Sequence, residues 1–255
     1  MITLRRTVHD ASGRPVADYV PGTRAGHPWA DDLRPKDGVS PRETADAVLA
    51  AMPGWLVGAP EEIGAALLAG GARKHRHAHC FSWDFAARRA DPSWAVPELR
   101  PGLRLESALS HEAADLTSLW MSAYPPGHPD NPDGEMFDSA RTQLALLFDG
   151  QVLGPLLACS TVIVDGTRPV AASLVSGRDG EPPLGGPWIT EVFRHADPEY
   201  AGLGAVALRA SLALAADGGL SALGLAVTDG NPARRTYERI GFAHVESTIT
   251  VVVPE

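Results

Sequence analysis

The sequence predicts an α/β fold in which helices cover both faces of a mixed sheet. Three observations carry that prediction. Between Leu103 and Val253 the expected elements run β-α-α-β-β-β-α-β-α-β, an order that buries one sheet between helical layers. Within this run, strands at Leu156–Val164 and Pro169–Ser176 flank Asp165-Gly166-Thr167-Arg168, a good hairpin turn. The stretch Glu191–Phe242 then reads strand, glycine turn, helix, strand, and a short helix opened by Asn231-Pro232 and closed by Gly241-Phe242.

Taken in order, residues 1–40 are rich in Gly, Pro, Asp and Arg. Strands are expected at Ile2–Val8 and Pro15–Val20, and Thr23–Val39 reads as a loop. Pro41-Arg42-Glu43 opens a helix through Met52, since proline suits a first turn. Trp55–Val57 is a short apolar run. Pro60-Glu61-Glu62 opens the helix Ile63–Ala69, which stops at Gly70-Gly71. Lys74–Phe85 alternates like a strand, and Ala90–Pro101 reads as a linker. The boundary so drawn separates an N-terminal segment, 1–98, from a domain over 99–255.

In that second part Leu103–Ala108 is a strand, and Ser110 is an N-cap for the helix His111–Ala123. The prolines of Tyr124–Gly134 forbid regular structure. A helix follows from Phe137 to Phe148. Gly177–Pro187 is a loop, Trp188–Arg194 a buried strand, Val206–Ala216 a helix, Leu223–Thr228 a strand and Ala243–Val253 a last strand. An offset of 170 places carries Gly71 onto Gly241, Leu67 onto Tyr237 and Trp55–Val57 onto Leu225–Val227. Residues 1–90 therefore read as a truncated, degenerate echo of the later segment, without its Asn, its Tyr or its glycine turn.

A net charge of −9 argues against nucleic acid or an anionic membrane as partner. Cys80 and Cys159 are too few for a disulfide framework. The first fifteen residues lack the apolar core of a signal peptide, and no run approaches the roughly 20 apolar residues of a membrane span. A cytoplasmic protein is expected, monomer or homodimer.

The glycine turn carries the chemistry. Tyr200-Ala201-Gly202-Leu203-Gly204-Ala205 runs into a helix, and a helix start offers unpaired N–H groups and partial positive charge. Glycines let a ligand approach the backbone closely. Gly202, Leu203, Gly204, Ala205 and Val206 are thus candidates to cradle a phosphate. Glu191 is a carboxylate in an otherwise apolar strand, where desolvation favours the protonated form. It reads either as a base or as one half of an ion pair. His75, His77 and His79 alternate along one strand face with Phe81, Trp83 and Phe85. A packing face is the reading taken, and no metal site is expected.

Two motifs in order resemble the GCN5-related N-acetyltransferases. Gly202 and Gly204 match the glycines of the family's Gln/Arg-x-x-Gly-x-Gly/Ala pyrophosphate loop. Asn231, Tyr237 and Gly241-Phe242 match its Asn-x-x-Ala-x-x-x-Tyr-x-x-x-Gly-Phe, with Ala233 one place early. The resemblance covers Leu103–Val253. It implies a mostly antiparallel twisted sheet and acetyl-CoA as co-substrate. It also implies pantetheine contacts along Val192, Phe193 and Arg194, a cofactor contact at Asn231, Tyr237 as acid toward the departing thiolate, and a general base on the strand of Glu191.

Thr190, Asp130, Asp133 and Glu135 are rivals for the base, and Tyr237 also reads as a core tyrosine. Glu199 stands where the family has Gln or Arg, and Ala201 where arginine is frequent; Arg209 or Arg235 could compensate. Tyr124–Gly134, with Tyr124 and His128, is the expected acceptor-side loop. Cys159 is a poor nucleophile candidate, because no motif places a histidine with it. The function expected is acetyl transfer to a primary amine, of a small molecule or a peptide, by direct attack. A non-catalytic acyl-CoA-binding module and a different acyl donor are the alternatives.

Overall fold

The computed structural model describes residues 5–24 and 27–255 and divides into two compact units. The first comprises Met1–His79 with Glu246–Glu255, and the second Cys80–Val245.

In the first unit, strands β1 (Arg6–His9), β2 (Pro15–Arg24), β3 (His27–Pro35) and β4 (Leu56–Pro60) lie side by side in that order, followed by the end of the terminal strand. β1, β2 and β3 pair antiparallel, β3 pairs parallel with β4, and Thr248–Val252 pair antiparallel with Pro60–Leu56. Helices α1 (Pro41–Ala51) and α2 (Glu61–Ala69) contribute Val48 and Leu67 to a core with Val16, Leu33, Val57 and Val251. Ser40 and Glu43 form a reciprocal capping box at the start of α1, with the Glu43 N–H donating to Ser40 Oγ at 3.2 Å. Strand β5 (Arg73–Asp84) begins here. His77 Nε2 lies 3.4 Å from a Glu61 carboxylate oxygen, and His79 Nδ1 2.8 Å from Ser247 Oγ.

Thr23–Val39 is not the loop expected, because His27–Pro35 is a strand paired on both sides. Its register against β2 gains a residue between Asp31 and Arg34, and Asp32 takes φ +47°. This bulge turns Ala30 and Leu33, three places apart, to the same buried side. The period-two signal of a strand is thereby erased. The expected strand Ile2–Val8 lies in part outside the described residues; its described part is β1.

The second unit holds β6 (Leu103–Ser107), α3 (Ala113–Ala123), α4 (Phe137–Phe148), β7 (Thr161–Asp165), β8 (Arg168–Ser176), β9 (Trp188–Arg194), α5 (Leu203–Asp217), β10 (Ala222–Thr228) and α6 (Ala233–Ile240). Its strands stand in the order β10-β9-β8-β7-β6. All neighbours are antiparallel except β9 with β10. Strand alternation divides the core in two. Val162, Val164, Leu174 and Phe193 pack under Leu116, Trp120, Leu144 and Leu147 of α3 and α4. On the other face, Ile163 and Ala171 meet Leu203 and Ala207 of α5, while Ile189 and Leu225 meet Leu208 and Leu212 with Tyr237 and Ile240 of α6. The mixed, mostly antiparallel sheet with helices on both faces is therefore as expected.

Three element boundaries shift. Glu112, not Ser110, caps α3; the Ser110 hydroxyl instead donates to the Ser107 carbonyl at 2.7 Å within a short 3-10 turn. The strand expected from Leu156 begins at Thr161, because Leu157–Ser160 turn back onto the Val175 carbonyl through Leu157 N–H and Ser160 Oγ. Helix α5 begins at Leu203 rather than Val206, directly after Gly202. Among the described residues no helix is long and apolar enough to cross a membrane.

Candidate active site

Strands β9 and β10 form parallel pairs at Gly224–Trp188 and Leu225–Ile189, and among the described residues their pairing ends there. Beyond that point Val192, Phe193 and Arg194 on one strand and the chain leading into α6 on the other border a cavity of about 530 Å³. Gly202 and Gly204 form another wall, with Tyr124 and His128 opposite and Thr236 and Tyr237 nearby. The sequence could not show this opening, because the register of a parallel pair carries no local sequence signal.

The glycine turn is built as a helix start. Gly202 sits at φ +87°, a left-handed conformation that costs an L-residue about 1–2 kcal/mol. The N–H groups of Ala205 and Val206 both return to the Gly202 carbonyl, at 3.0 and 3.2 Å. Of the five predicted donors, these two are engaged inside the turn. Gly202, Leu203 and Gly204 are the ones whose N–H groups precede the first intrahelical bond. A Cβ on Gly204 would come no nearer than 3.9 Å to Val192 and Arg194, so the space beside it opens toward the strand edge.

The acid at Glu199 is held by Arg100, whose guanidinium lies 3.2 Å from it. Neither expected compensating arginine lines the cavity. Arg209 stacks on Trp94 at 5.6 Å, and Arg235 is exposed. The cations at the cavity wall are Arg194, which donates to the His195 carbonyl at 2.6 Å, and Arg239, 3.2 Å from Thr236 Oγ1. Arg239 was legible only as the third member of a helical stripe with Pro232 and Thr236.

Glu191 and Tyr237 are brought together with two residues of the Tyr124–Gly134 loop. Tyr124 ends α3, and its hydroxyl donates to Glu191 Oε2 at 3.1 Å, with the Val192 carbonyl 3.3 Å away. Burial first, then the Glu191 charge, holds the Tyr124 hydroxyl well above the usual phenol range. Tyr237 is buried too. Desolvation, followed by the charges of Asp130 and Glu191, raises its phenol so that it stays protonated at neutral pH. Asp130 accepts from Asn231 Nδ2 at 2.6 Å and from the Thr228 hydroxyl, tying the loop to the end of β10. Asn231 Oδ1 also accepts from the N–H of Ala233, the first residue of α6, at 2.8 Å; the cap position itself falls on Pro232 rather than on Asn231 as expected.

The loop itself is ordered by buried Asn131, which donates to the Tyr124 carbonyl at 2.7 Å and accepts from the Glu135 N–H at 2.6 Å. Of the rival acids, Glu135 faces α4 through Ser139 and Gln143, and Asp133 is exposed. Thr190 donates to Ser176 Oγ at 2.8 Å. Burial pushes the Cys159 thiol up to about 11, so it is not a thiolate at neutral pH.

Solved structures share this architecture. A GCN5-related N-acetyltransferase from Sphaerobacter thermophilus superposes with TM-score 0.60 at 14% identity, covering 96% of this chain and 78% of that one. A tandem GNAT protein from the clavulanic acid biosynthesis pathway gives 0.57 at 15% identity, over 94% and 79%. A GCN5-related N-acetyltransferase from Kribbella flavida gives 0.56 at 16%, over 99% and 90%. No protein-family model and no curated protein matches the sequence. The chain has the fold of the GCN5-related N-acetyltransferases.

Proposed function

We propose that the protein transfers an acetyl group from acetyl-CoA to a primary amine by direct attack. The observation that carries this reading is the parting of β9 from β10 beside the Gly202–Gly204 helix start, with buried Tyr237 and Tyr124 lining the cavity and the Glu191 carboxylate hydrogen-bonded behind Tyr124. The shape fits the ligand. The strand edge at Val192–Arg194 suits the amide-bearing arm, the first-turn N–H groups of α5 suit the pyrophosphate, and Arg194 and Arg239 add positive charge to the cavity lining.

Bound there, the thioester supplies a carbonyl carbon that forms the C–N bond as its C–S bond breaks. Glu191 takes a proton from the amine, and the Tyr124 hydroxyl keeps the carboxylate oriented by its hydrogen bond. Tyr237 donates toward the departing sulfur. Of the two protons an ammonium gives up, one ends on sulfur and the other in solvent. No covalent acyl-enzyme is needed, and the protonated Cys159 is not suited to one.

The test is release of free thiol from acetyl-CoA, with mass-spectrometric detection of the amide, over a panel of primary amines. Turnover is expected, with kcat/KM falling by about 10²–10⁴ in Glu191→Gln. Acetyl-CoA binding without acetylation of any amine would favour the non-catalytic module instead.

A further inference from the structure

A second, smaller cavity of about 110 Å³ lies on the α3/α4 side of β9. Trp120, Leu144, Leu146 and Val152 supply apolar wall, and the Glu191 carboxylate and Gln143 stand at its polar part. Glu191 therefore fronts this cavity, while its partner Tyr124 and its neighbour Val192 front the larger one. A ligand in the small cavity would present its polar end at the wall shared with the thioester site.

We infer that this cavity takes the acceptor, and that the acceptor is a small primary amine with a compact apolar tail and no anionic group. This rests on the reading of the site as an amine acetyltransferase. Size sets the tail. A cavity of about 150 Å³ holds benzene, so this one takes roughly four or five carbons. Charge sets the head. Among the described residues lining the cavity, Glu191 carries the charge, and no Lys, Arg or His is present to pair with a carboxylate or phosphate. The other polar lining residues, Gln143 and Thr190, are neutral, and the Gln143 amide donates to the Glu135 carboxylate. An ammonium is therefore attracted, and a carboxylate beside the amine would be buried unpaired against a like charge. The apolar rim continues outward, since Leu146 and Val152 are 39% and 49% exposed and lose that exposure to a bound tail.

The experiment is calorimetric binding of 3-methylbutylamine and of leucine, which has the same tail plus a carboxylate. Wild type, Val152→Lys and Leu146→Trp are compared, with acetyl-CoA titrated into each. Wild type is expected to bind the amine at least about tenfold more tightly than leucine. Val152→Lys should reduce or reverse that ratio, and Leu146→Trp should weaken the amine by obstructing the rim, both with acetyl-CoA affinity unchanged. Because the two lining residues are partly exposed, neither change requires repacking of the core. Equal or tighter binding of leucine by wild type, or amine affinity indifferent to both substitutions, would overturn the inference. Amine binding without any acetyl-CoA binding would instead sink the acetyltransferase reading and leave the amine pocket standing.

Discussion

Glu191 and Tyr237 owe their chemistry to opposite faces of one sheet. Glu191 lies on the side of Phe193, under α3, and reaches Tyr124; Tyr237 packs on the α5 side with Ile189. On the proposed reading, both serve one reaction centre across the gap between β9 and β10. Tyr237→Phe removes only the hydroxyl, and the ring's contacts with Phe242 remain, at 6.2 Å between centroids. We expect kcat to fall by about 10²-fold or more with acetyl-CoA affinity kept, measured by steady-state kinetics beside calorimetry. Equal loss of kcat and affinity would assign Tyr237 to binding. Glu191 and Tyr237 were legible as candidates because a carboxylate in an apolar strand and a tyrosine one turn before Gly-Phe are local signals. The pairing of Glu191 with Tyr124 was not, since a loop, helix α4 and strands β7 and β8 separate the partners. Tyr124 showed in sequence only as one polar residue of an irregular loop.

At the scale of elements, the two glycines of the turn do different work. Gly202 meets nothing within 4 Å of an added Cβ but holds φ +87°. Gly204 has ordinary helical backbone and open space beside it. Gly202→Ala should therefore cost about 1–2 kcal/mol, whereas Gly204→Ala should be neutral or stabilise by up to about 1 kcal/mol, both read from urea denaturation. Equal costs would contradict this account of the turn. A third glycine lies in the paired stretch before the opening, one rung short of the last pair: a Cβ on Gly224 would lie 2.2 Å from the Trp188 ring. The turn, the flanking helices and most strands were readable from periodicity and caps. Strand β3 was not, because its bulge breaks the alternation. The echo at an offset of 170 has a backbone counterpart. Gly71 and Gly241 both follow a helix at positive φ, and Ala72 N–H to Leu67 O matches Phe242 N–H to Tyr237 O, each 3.0 Å. Leu67 stands where Tyr237 does, so the earlier turn carries no phenol.

For the molecule as a whole, several buried acids are held protonated. Tyr124 and Tyr237 are raised by burial and nearby carboxylates, and Cys159 is raised to about 11 by burial. In the unfolded chain these groups lose their protons near 10 for tyrosine and about 8.5 for cysteine. Each folded value lies above its unfolded one. Their contribution to stability is thus complete below the unfolded values and is lost as pH rises toward the folded ones. The urea midpoint should hold steady from about pH 7 to 8 and fall above about pH 9. In Tyr237→Phe the slope above about pH 10 should be shallower. A midpoint constant to about pH 11 would show that these groups are not buried as described.

The central claim is that the gap between β9 and β10, closed at one end by the start of α5, is a site for an acyl-CoA. Calorimetric titration with acetyl-CoA of wild type, Gly204→Trp and Tyr237→Phe tests it most directly. The account predicts micromolar-range binding in wild type, as for typical enzyme substrates. It predicts that binding is abolished in Gly204→Trp, where an indole fills the space beside Val192 and Arg194, and retained in Tyr237→Phe. Wild-type protein that binds neither acetyl-CoA nor longer acyl-CoAs, or a folded Gly204→Trp variant that binds as tightly as wild type, would contradict it.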